Sequence, residues 1–299
     1  MDRKFVFLVN PISGTKSKQQ LPDLIREAAK KYNAWHEILP TVASGDYQFV
    51  REKIAEENIT DIIMCGGDGT VNTVVQQLYD LDVNFGIVPL GSGNGLALCA
   101  KIPPQAEKAL DIVFTGKAAY IDAFKVNDSF ACMLCGLGFD AQVAHDFSKQ
   151  AGRGLITYAK QSIIEFIRSR PYTFEIKLND SLLNTDAYFI SIANSNQFGN
   201  QVTIAPSASL NDGLLDIVVV RKMSKVALPV SLLLQIAGNN AVSSEDRLTK
   251  TNVWYFQAAE LTIENPGEAP LHIDGEPRET MSTLHFRVIP NCFRLIQPA

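Results

Sequence analysis

Residues Ile62–Leu78 read IIMCGGDGTVNTVVQQL. An apolar run from Ile62 to Cys65 breaks into Gly66-Gly67-Asp68-Gly69-Thr70. Val71, Val74, Val75 and Leu78 then recur at i, i+3, i+4 and i+7, the spacing of one buried helix face. The stretch therefore reads as strand, tight turn, helix. Glycines at such a turn let backbone N–H groups come close to a ligand, and the helix N-terminus adds positive potential. A phosphate fits that environment. Asp68 fits it only if a divalent cation stands between carboxylate and phosphate, or if Asp68 has a hydrogen-bonding role. Mg²⁺ is the cation expected beside a nucleotide. The plainer alternative is a tight βα turn with Asp68 as a helix cap.

Outward from this turn, the first 115 or so residues alternate strand and helix patterns. Phe5–Val9 is a continuous apolar run of the kind found in buried parallel strands. Helix spacing follows at Leu21, Leu24, Ile25 and Ala28. His36–Leu39 reads as a second strand, Phe49, Val50 and Ile54 as a helix opened by Ser44-Gly45-Asp46, and Phe85–Leu90 as another strand. A last helix spans Gln105–Phe114. The pattern predicts a doubly wound parallel sheet, in which ligands sit at the carboxyl ends of strands. Two further strands end in special loops, Asn10-Pro11-Ile12-Ser13-Gly14 and Pro89-Leu90-Gly91-Ser92-Gly93-Asn94-Gly95. Three such loops on one sheet would converge on one crevice. Neither GxxxxGK[ST] nor GxGxxG occurs. Gly136-Leu-Gly-Phe-Asp-Ala141 matches the GxGxxA variant but falls outside any clear βαβ unit and is set aside.

Beyond about Asp122 short runs rich in β-branched and aromatic residues take over. Phe174–Leu178 and Ser181–Leu183 flank Asn179-Asp180 as a hairpin. Tyr188–Ala193, Leu215–Val220, Val253–Phe256, Leu261–Ile263, Leu271–Ile273 and Leu284–Ile289 continue the theme. Helical patterns interrupt it at Leu155–Ile167 and Val226–Ala237. The second domain is expected to be a mainly antiparallel β-sandwich, with the boundaries 1–122 for the α/β domain and 123–289 for the β-rich one.

Of 299 residues, 46% are hydrophobic, enough for sizeable cores, and the formal net charge of -5 argues against a nucleic-acid partner. The five cysteines are odd in number and sit mostly in apolar runs. Cys132-Met-Leu-Cys135 has flanks that read as one buried strand, and no second pair or histidine cluster completes a zinc site. Reduced core thiols are expected. No stretch resembles a signal peptide or approaches the ~18 apolar residues of a membrane span, so a cytoplasmic protein is expected. Residues Lys149–Arg170 carry five basic residues against Glu165 alone and are apolar besides. That composition suits either a peripheral helix on the inner face of an anionic membrane or a core helix with a basic solvated face. In the β-rich half, Asn211-Asp-Gly-Leu-Leu-Asp216 and His272-Ile-Asp-Gly-Glu276 are turns bearing carboxylates. Asp274 and Glu276 lie two apart around a glycine bend and could together orient and deprotonate a hydroxyl. His272 reads as a packing or hydrogen-bonding strand residue.

Asn10-Pro-x-Ser-Gly14, Gly66-Gly-Asp-Gly-Thr-Val-Asn72, Pro89-Leu-Gly-Ser-Gly-Asn94, Gly136-x-Gly-Phe-Asp-Ala141, Asn211-Asp-Gly-Leu-Leu-Asp216 and Asp274-Gly-Glu276 occur in the order seen in the diacylglycerol kinase catalytic-domain family, which the chain resembles over nearly its whole length. That family includes bacterial lipid kinases, sphingosine kinases and ceramide kinases. The resemblance implies an ATP-dependent lipid kinase with an α/β nucleotide domain, a β-rich domain and the active site between them, and a C-terminus (290–299) that returns to the first domain. By matching positions it implies that Asn10, Pro11, Ile12, Ser13, Gly14, Thr41, Gly66, Gly67, Asp68, Gly69, Thr70, Val71, Asn72 and Ser92 hold ATP, with Asn94 closing the third loop. Glu276 matches the proton acceptor, with Asp274 beside it and the two roles exchangeable. Asp68 lies near the phosphates and Mg²⁺, and Asp122 at the mouth of the site. A structural Mg²⁺, or Ca²⁺ in its place, would be bound by Ser209, Asp212 and Leu214, the first and last through carbonyl oxygens. Two positions depart from many bacterial diacylglycerol kinases: Gly95 replaces an acidic residue, and Thr15 a lysine, with Lys16 one place later. A small residue after GSGN is closer to the sphingosine kinases, so the lipid stays open, as does the oligomeric state, a homodimer included. A soluble-substrate kinase of the NAD kinase type and a non-catalytic lipid- or nucleotide-binding protein are the rival readings.

Overall fold

The computed structural model describes residues 3–10, 20–139, 141, 169–178, 181–196, 205–222 and 252–299. The expected contributions of Pro11, Ile12, Ser13 and Gly14, the basic stretch up to residue 168 and the helical patterns at Leu155–Ile167 and Val226–Ala237 lie outside the described residues. Two compact units emerge. One holds the described residues up to Ala123 together with Ile289–Ala299, the other those from Phe124 to Val288.

The first unit alternates β1 (Lys4–Val9), α1 (Leu21–Lys31), β2 (Trp35–Pro40), α2 (Gln48–Glu57), β3 (Asp61–Gly66), α3 (Asp68–Leu78), β4 (Asn84–Pro89), α4 (Gly95–Cys99) and α5 (Ala106–Thr115). Its strands run parallel, with β1 between β2 and β3, and β4 beyond β3. The last strand, β15 (Thr283–Gln297), brings the chain back and lays Arg294 and Leu295 parallel to Asn84 and Phe85 of β4. The order β2-β1-β3-β4 reverses direction between β1 and β3, so the sheet is doubly wound. Phe5, Phe7, Ile62, Ile63 and Phe85 are buried, as the continuous apolar runs require when helices cover both faces. Helix α1 starts with a proline in its first turn and buries Leu21, Ile25 and Ala29. Asp23 near its start and Lys30 and Lys31 near its end complement the helix dipole.

At the amino end of β3, Asp61 is fully buried but satisfied. Arg3 clamps both its oxygens at 2.7 and 3.1 Å, Thr60 Oγ1 donates at 2.6 Å and Asn84 Nδ2 at 3.0 Å. A buried carboxylate is tolerated only with such pairing. This buried carboxylate sits at the amino end of the sheet. The other end is left to glycine loops.

The second unit contains β6 (Ser129–Ala131), β7 (Leu134–Gly138), β8 (Tyr172–Leu178), β9 (Ser181–Ala193), β10 (Leu215–Arg221), β11 (Val253–Ala258), β12 (Glu260–Glu264), β13 (Leu271–Ile273) and β14 (Glu276–Arg278). Strand β5 (Lys117–Val126) leads into it and β15 leads out. Among the described residues the pairings of β6–β14 are antiparallel, in the order β14-β13-β7-β9-β8-β12-β15, with β10 set between β9 and β11. The long β9 pairs its first half with β8 and its second with β7 and β10. One cluster buries Phe174, Ile263 and Phe286 together with Ile190, Ile217 and Phe256. Strands β8, β12 and β15 thus share one core with β9, β10 and β11, as in a sandwich.

The CxxC run behaves differently from the single buried strand that its flanks suggest. It is buried throughout, but the strand breaks at Cys132-Met133, between β6 and β7. All five cysteines are free. Burial pushes the Cys65 thiol upward and the Cys292 thiol up to about 12, which leaves both protonated and unreactive at neutral pH.

Candidate functional site

At the carboxyl ends of β3 and β4 the loops meet, and Asn10 at the end of β1 lies beside them. Gly67 is the N-cap of α3, in extended conformation, and Asp68 is its first residue, so Asp68 is not the cap. A Cβ on Gly67 would come within 3.0 Å of the Gly91 Cα, and one on Gly91 within 2.6 Å of the Gly67 Cα. The two glycine loops are therefore in backbone contact, which no side chain at either position would permit. Leu90 N–H donates to Gly66 carbonyl oxygen at 2.9 Å and continues the ladder past the strand end. Asn94, with a left-handed φ of 52°, closes the β4 loop on itself. Its Oδ1 accepts from Gly91 N–H at 2.9 Å and its Nδ2 donates to Gly91 carbonyl oxygen at 2.8 Å.

Asn10 joins from β1. Its N–H donates to Cys65 carbonyl oxygen at 3.1 Å and its Nδ2 to Thr70 Oγ1 at 3.0 Å. That bond spans the place where strand order reverses, where ligands of doubly wound sheets bind. Thr41, after β2, donates its N–H to Val9 carbonyl oxygen at 2.9 Å. Val71 and Asn72 are buried in α3, whereas Gly67, Asp68, Gly69 and Thr70 are partly exposed and Ser92 is exposed. Asn10, Thr41, the Gly66–Asn72 turn and the Ser92–Asn94 loop therefore share one end of one sheet. Asp122, expected at the mouth of the site, is buried in β5, and its Oδ1 accepts from Asn291 N–H at 2.7 Å. There it holds Asn291, which has a left-handed φ of 50° within β15.

In the second unit Asp274 and Gly275 form the two-residue loop between β13 and β14, with φ of 49° and 82° and Ile273 paired to Glu276. This is the type I′ hairpin turn that Asp-Gly favours. Glu276 is exposed. Asp274 is 4% exposed, and its carboxylate lies in a nest of backbone donors. Oδ1 accepts from Met133 and Leu134 N–H at 3.0 and 2.9 Å, and Oδ2 from Cys132 N–H at 2.9 Å. Cys132 Sγ also approaches Oδ2, at 3.4 Å. His272 is fully buried, and its Nδ1 accepts from Gly275 N–H at 3.3 Å.

In the turn before β10, Asp212 Oδ1 accepts from Leu214 N–H at 3.1 Å and Ser209 Oγ bonds Asn211 Oδ1 at 3.1 Å. Among the described residues no three acidic, histidine or cysteine side chains gather as a metal cluster. Oxygen donors here are the Asp212 carboxylate and the turn carbonyls, which suit only a hard cation. Burial, and less strongly the Asp212 charge, pushes the neighbouring Asp216 carboxyl upward. A groove of about 900 Å³ lined by Lys125, Thr262, His285 and Arg287 lies elsewhere on this unit and includes neither Asp274 nor Glu276. Missed from sequence were the Cys132–Leu134 amides and Asn194, which meet Asp274's surroundings only through long-range packing.

A doubly wound sheet with its glycine loops at the strand-order reversal, followed by an antiparallel β-rich unit, defines a class of protein with one α/β unit and one β unit. Comparison with known proteins makes this specific. Residues 4–126 match the diacylglycerol kinase catalytic domain, and residues 134–297 match the YegS C-terminal NAD kinase beta sandwich-like domain. The chain belongs to the diacylglycerol kinase catalytic-domain family, with the YegS type of C-terminal domain. Similar curated proteins include a "Probable lipid kinase YegS-like" of Shewanella frigidimarina, 28% identical over 84% of this chain and 80% of that protein. Another of the same name, from an Enterobacter species, is 30% identical over 83% of this chain and 81% of its own length. A solved structure of a diacylglycerol kinase from Bacillus anthracis superposes with a TM-score of 0.78 at 21% identity, covering 99% of this chain and 97% of that one. At that identity the likeness is one of fold. Among the described residues no helix is long and apolar enough to cross a membrane.

Proposed function

We propose that the protein is an ATP-dependent lipid kinase that transfers the γ-phosphate of ATP to a hydroxyl of a membrane lipid. The observation that carries the nucleotide half is the backbone contact of Gly67 with Gly91, beside Asn10 and Thr70. Bare glycine backbone at a helix N-terminus presents N–H groups to a polyphosphate. On this reading Asn10 to Gly14, Thr41, Gly66 to Asn72 and Ser92 hold ATP, and Asn94 keeps the β4 loop in shape for it. Asp68, partly exposed at the first residue of α3, would hold Mg²⁺. When bound, that ion neutralises charge on the transferred phosphoryl group. Glu276 is the proton acceptor. It is exposed, and its side chain makes no hydrogen bond or ion pair among the described residues, so its carboxylate can receive a lipid hydroxyl proton. Asp122, bound to the Asn291 amide, supports the fold of β5 and β15. A structural Mg²⁺ or Ca²⁺ would be held by Asp212 and the carbonyl oxygens of Ser209 and Leu214. On this reading the protein works in the cytoplasm, in contact with the membrane surface that holds its lipid.

The test is turnover of labelled ATP with diacylglycerol, sphingosine, ceramide and phosphatidylglycerol presented in mixed micelles. Phosphate should appear in one of these lipids and depend on Mg²⁺. Nucleotide turnover with a soluble acceptor and none with any lipid would favour the soluble-substrate kinase instead, and binding with no transfer the non-catalytic protein.

A further inference from the structure

The segment Cys132-Met133-Leu134 is saturated with hydrogen bonds from two directions. Its three N–H groups go to the Asp274 carboxylate, 2.9–3.0 Å away. Its carbonyl oxygens are taken as well. Leu134 oxygen accepts from Asp274 N–H at 2.8 Å, and Met133 oxygen from Asn194 and Ser195 N–H at 2.8 and 3.1 Å. Cys132 oxygen accepts from Asn194 Nδ2 at 3.3 Å. Asn194 and Ser195 are as buried as Asp274 itself. A two-residue break in a strand has thus become a bridge between the end of β9 and the hairpin that carries Glu276.

We infer that Asp274 and Asn194 are positioning residues for the reaction proposed above, acting on Glu276 through the Cys132–Leu134 backbone. Each Asp274 oxygen already accepts two donors, counting the Cys132 thiol, so the group is spent on the fold. Glu276 is two residues away in the same turn, exposed and available. Aspartate-glycine turns normally leave the aspartate in solvent, since the type I′ geometry needs only its tolerance of positive φ. Burial of Asp274 in a four-donor nest is more than the turn requires. It fixes the hairpin, and with it the Glu276 backbone, against β7 and β9. The inference rests on Glu276 being the proton acceptor.

The experiment compares wild type, Glu276→Gln, Asp274→Asn and Asn194→Ala by single-turnover transfer to the best lipid of the panel across pH 5–9, with hydrogen exchange of the Cys132, Met133 and Leu134 amides. Positioning predicts a kcat loss of roughly 10- to 100-fold in Asp274→Asn and a smaller one in Asn194→Ala. In both, the acid limb of the pH–rate profile is kept and protection of those amides falls. Glu276→Gln should lose the acid limb and keep the protection. An acid limb lost in Asp274→Asn but kept in Glu276→Gln makes Asp274 the base and overturns the inference. Wild-type kcat in Asn194→Ala despite lost protection also overturns it, and that variant serves if Asp274→Asn does not fold. A wild type that phosphorylates no lipid fails at the earlier step, and takes the underlying reading with it.

Discussion

The turn after β3 and the turn after β13 both bend the chain at glycine, yet they are built by opposite means. At Gly66–Thr70 the useful feature is what the residues lack: Gly67 and Gly91 meet backbone to backbone, and a methyl group on either would collide. At Asp274–Glu276 the useful feature is a side chain spent on the fold so that its neighbour stays free. The first turn is complete within one strand-turn-helix unit and one adjoining loop. The second exists only because residues 142 apart in sequence, Cys132 and Asp274, fold together. A cradle made of backbone suits binding, whose strength comes from many modest N–H contacts. An exposed carboxylate on an anchored hairpin suits proton transfer, whose efficiency depends on placement.

Variants can separate these two means. The largest effect is expected at the second turn: Glu276→Gln should lower kcat by roughly 10²–10⁴-fold, as for loss of a general base, with ATP binding little changed. Steady-state kinetics with ATP titrated at saturating lipid would measure both. Asp68→Asn comes next. Loss of the group that would organise metal and phosphate should cost at least ~10²-fold in rate and alter the Mg²⁺ dependence. A variant with wild-type rate and unchanged Mg²⁺ response would remove Asp68 from the site. Gly67→Val breaks the comparison from the other side. The added side chain meets the Gly91 backbone, so ATP affinity should fall at least ~10-fold and stability by about 1–3 kcal/mol, as for overpacking. The smallest effect is expected at Asp212→Ala. Its Tm should fall by a few degrees relative to wild type in Mg²⁺ or Ca²⁺, a gap of about 1 kcal/mol, and the gap should close in EDTA, because a cation bound only by the folded chain stabilises it by mass action. Equal melting with and without EDTA would leave Asp212 as the Leu214-capping turn residue that its 3.1 Å bond describes.

The contrast also explains what could be read in advance. Strands β1, β3 and β4 announce themselves as unbroken apolar runs because both faces of a parallel sheet are covered, and the glycine loops announce themselves by composition. Helix α4 was not anticipated. Gly95–Cys99 is only five residues long and follows Asn94 in a left-handed conformation, so no periodicity had room to show. Strand β9 reads as two runs because Asn184, Thr185 and Asp186 interrupt the apolar pattern, yet Thr185 is buried and accepts a bond from Arg221 Nε at 3.1 Å. The break at Cys132-Met133 was illegible for a stronger reason. Its local sequence is apolar and strand-like, and a carboxylate supplied from a distant hairpin outcompetes the ladder for its N–H groups. Asp274 could be seen as chemically interesting but not as buried. Burial is a property of the fold, and the pattern around a turn does not encode it.

The division of labour is tested most directly by measuring ATP affinity calorimetrically and single-turnover lipid phosphorylation on the same preparations of Gly67→Val and Glu276→Gln. The account predicts a double dissociation: the valine variant loses ATP binding, whereas the glutamine variant binds ATP as wild type does and transfers phosphate at least ~10²-fold more slowly. A glutamine variant that transfers at the wild-type rate, or a valine variant that binds ATP unchanged, would contradict it.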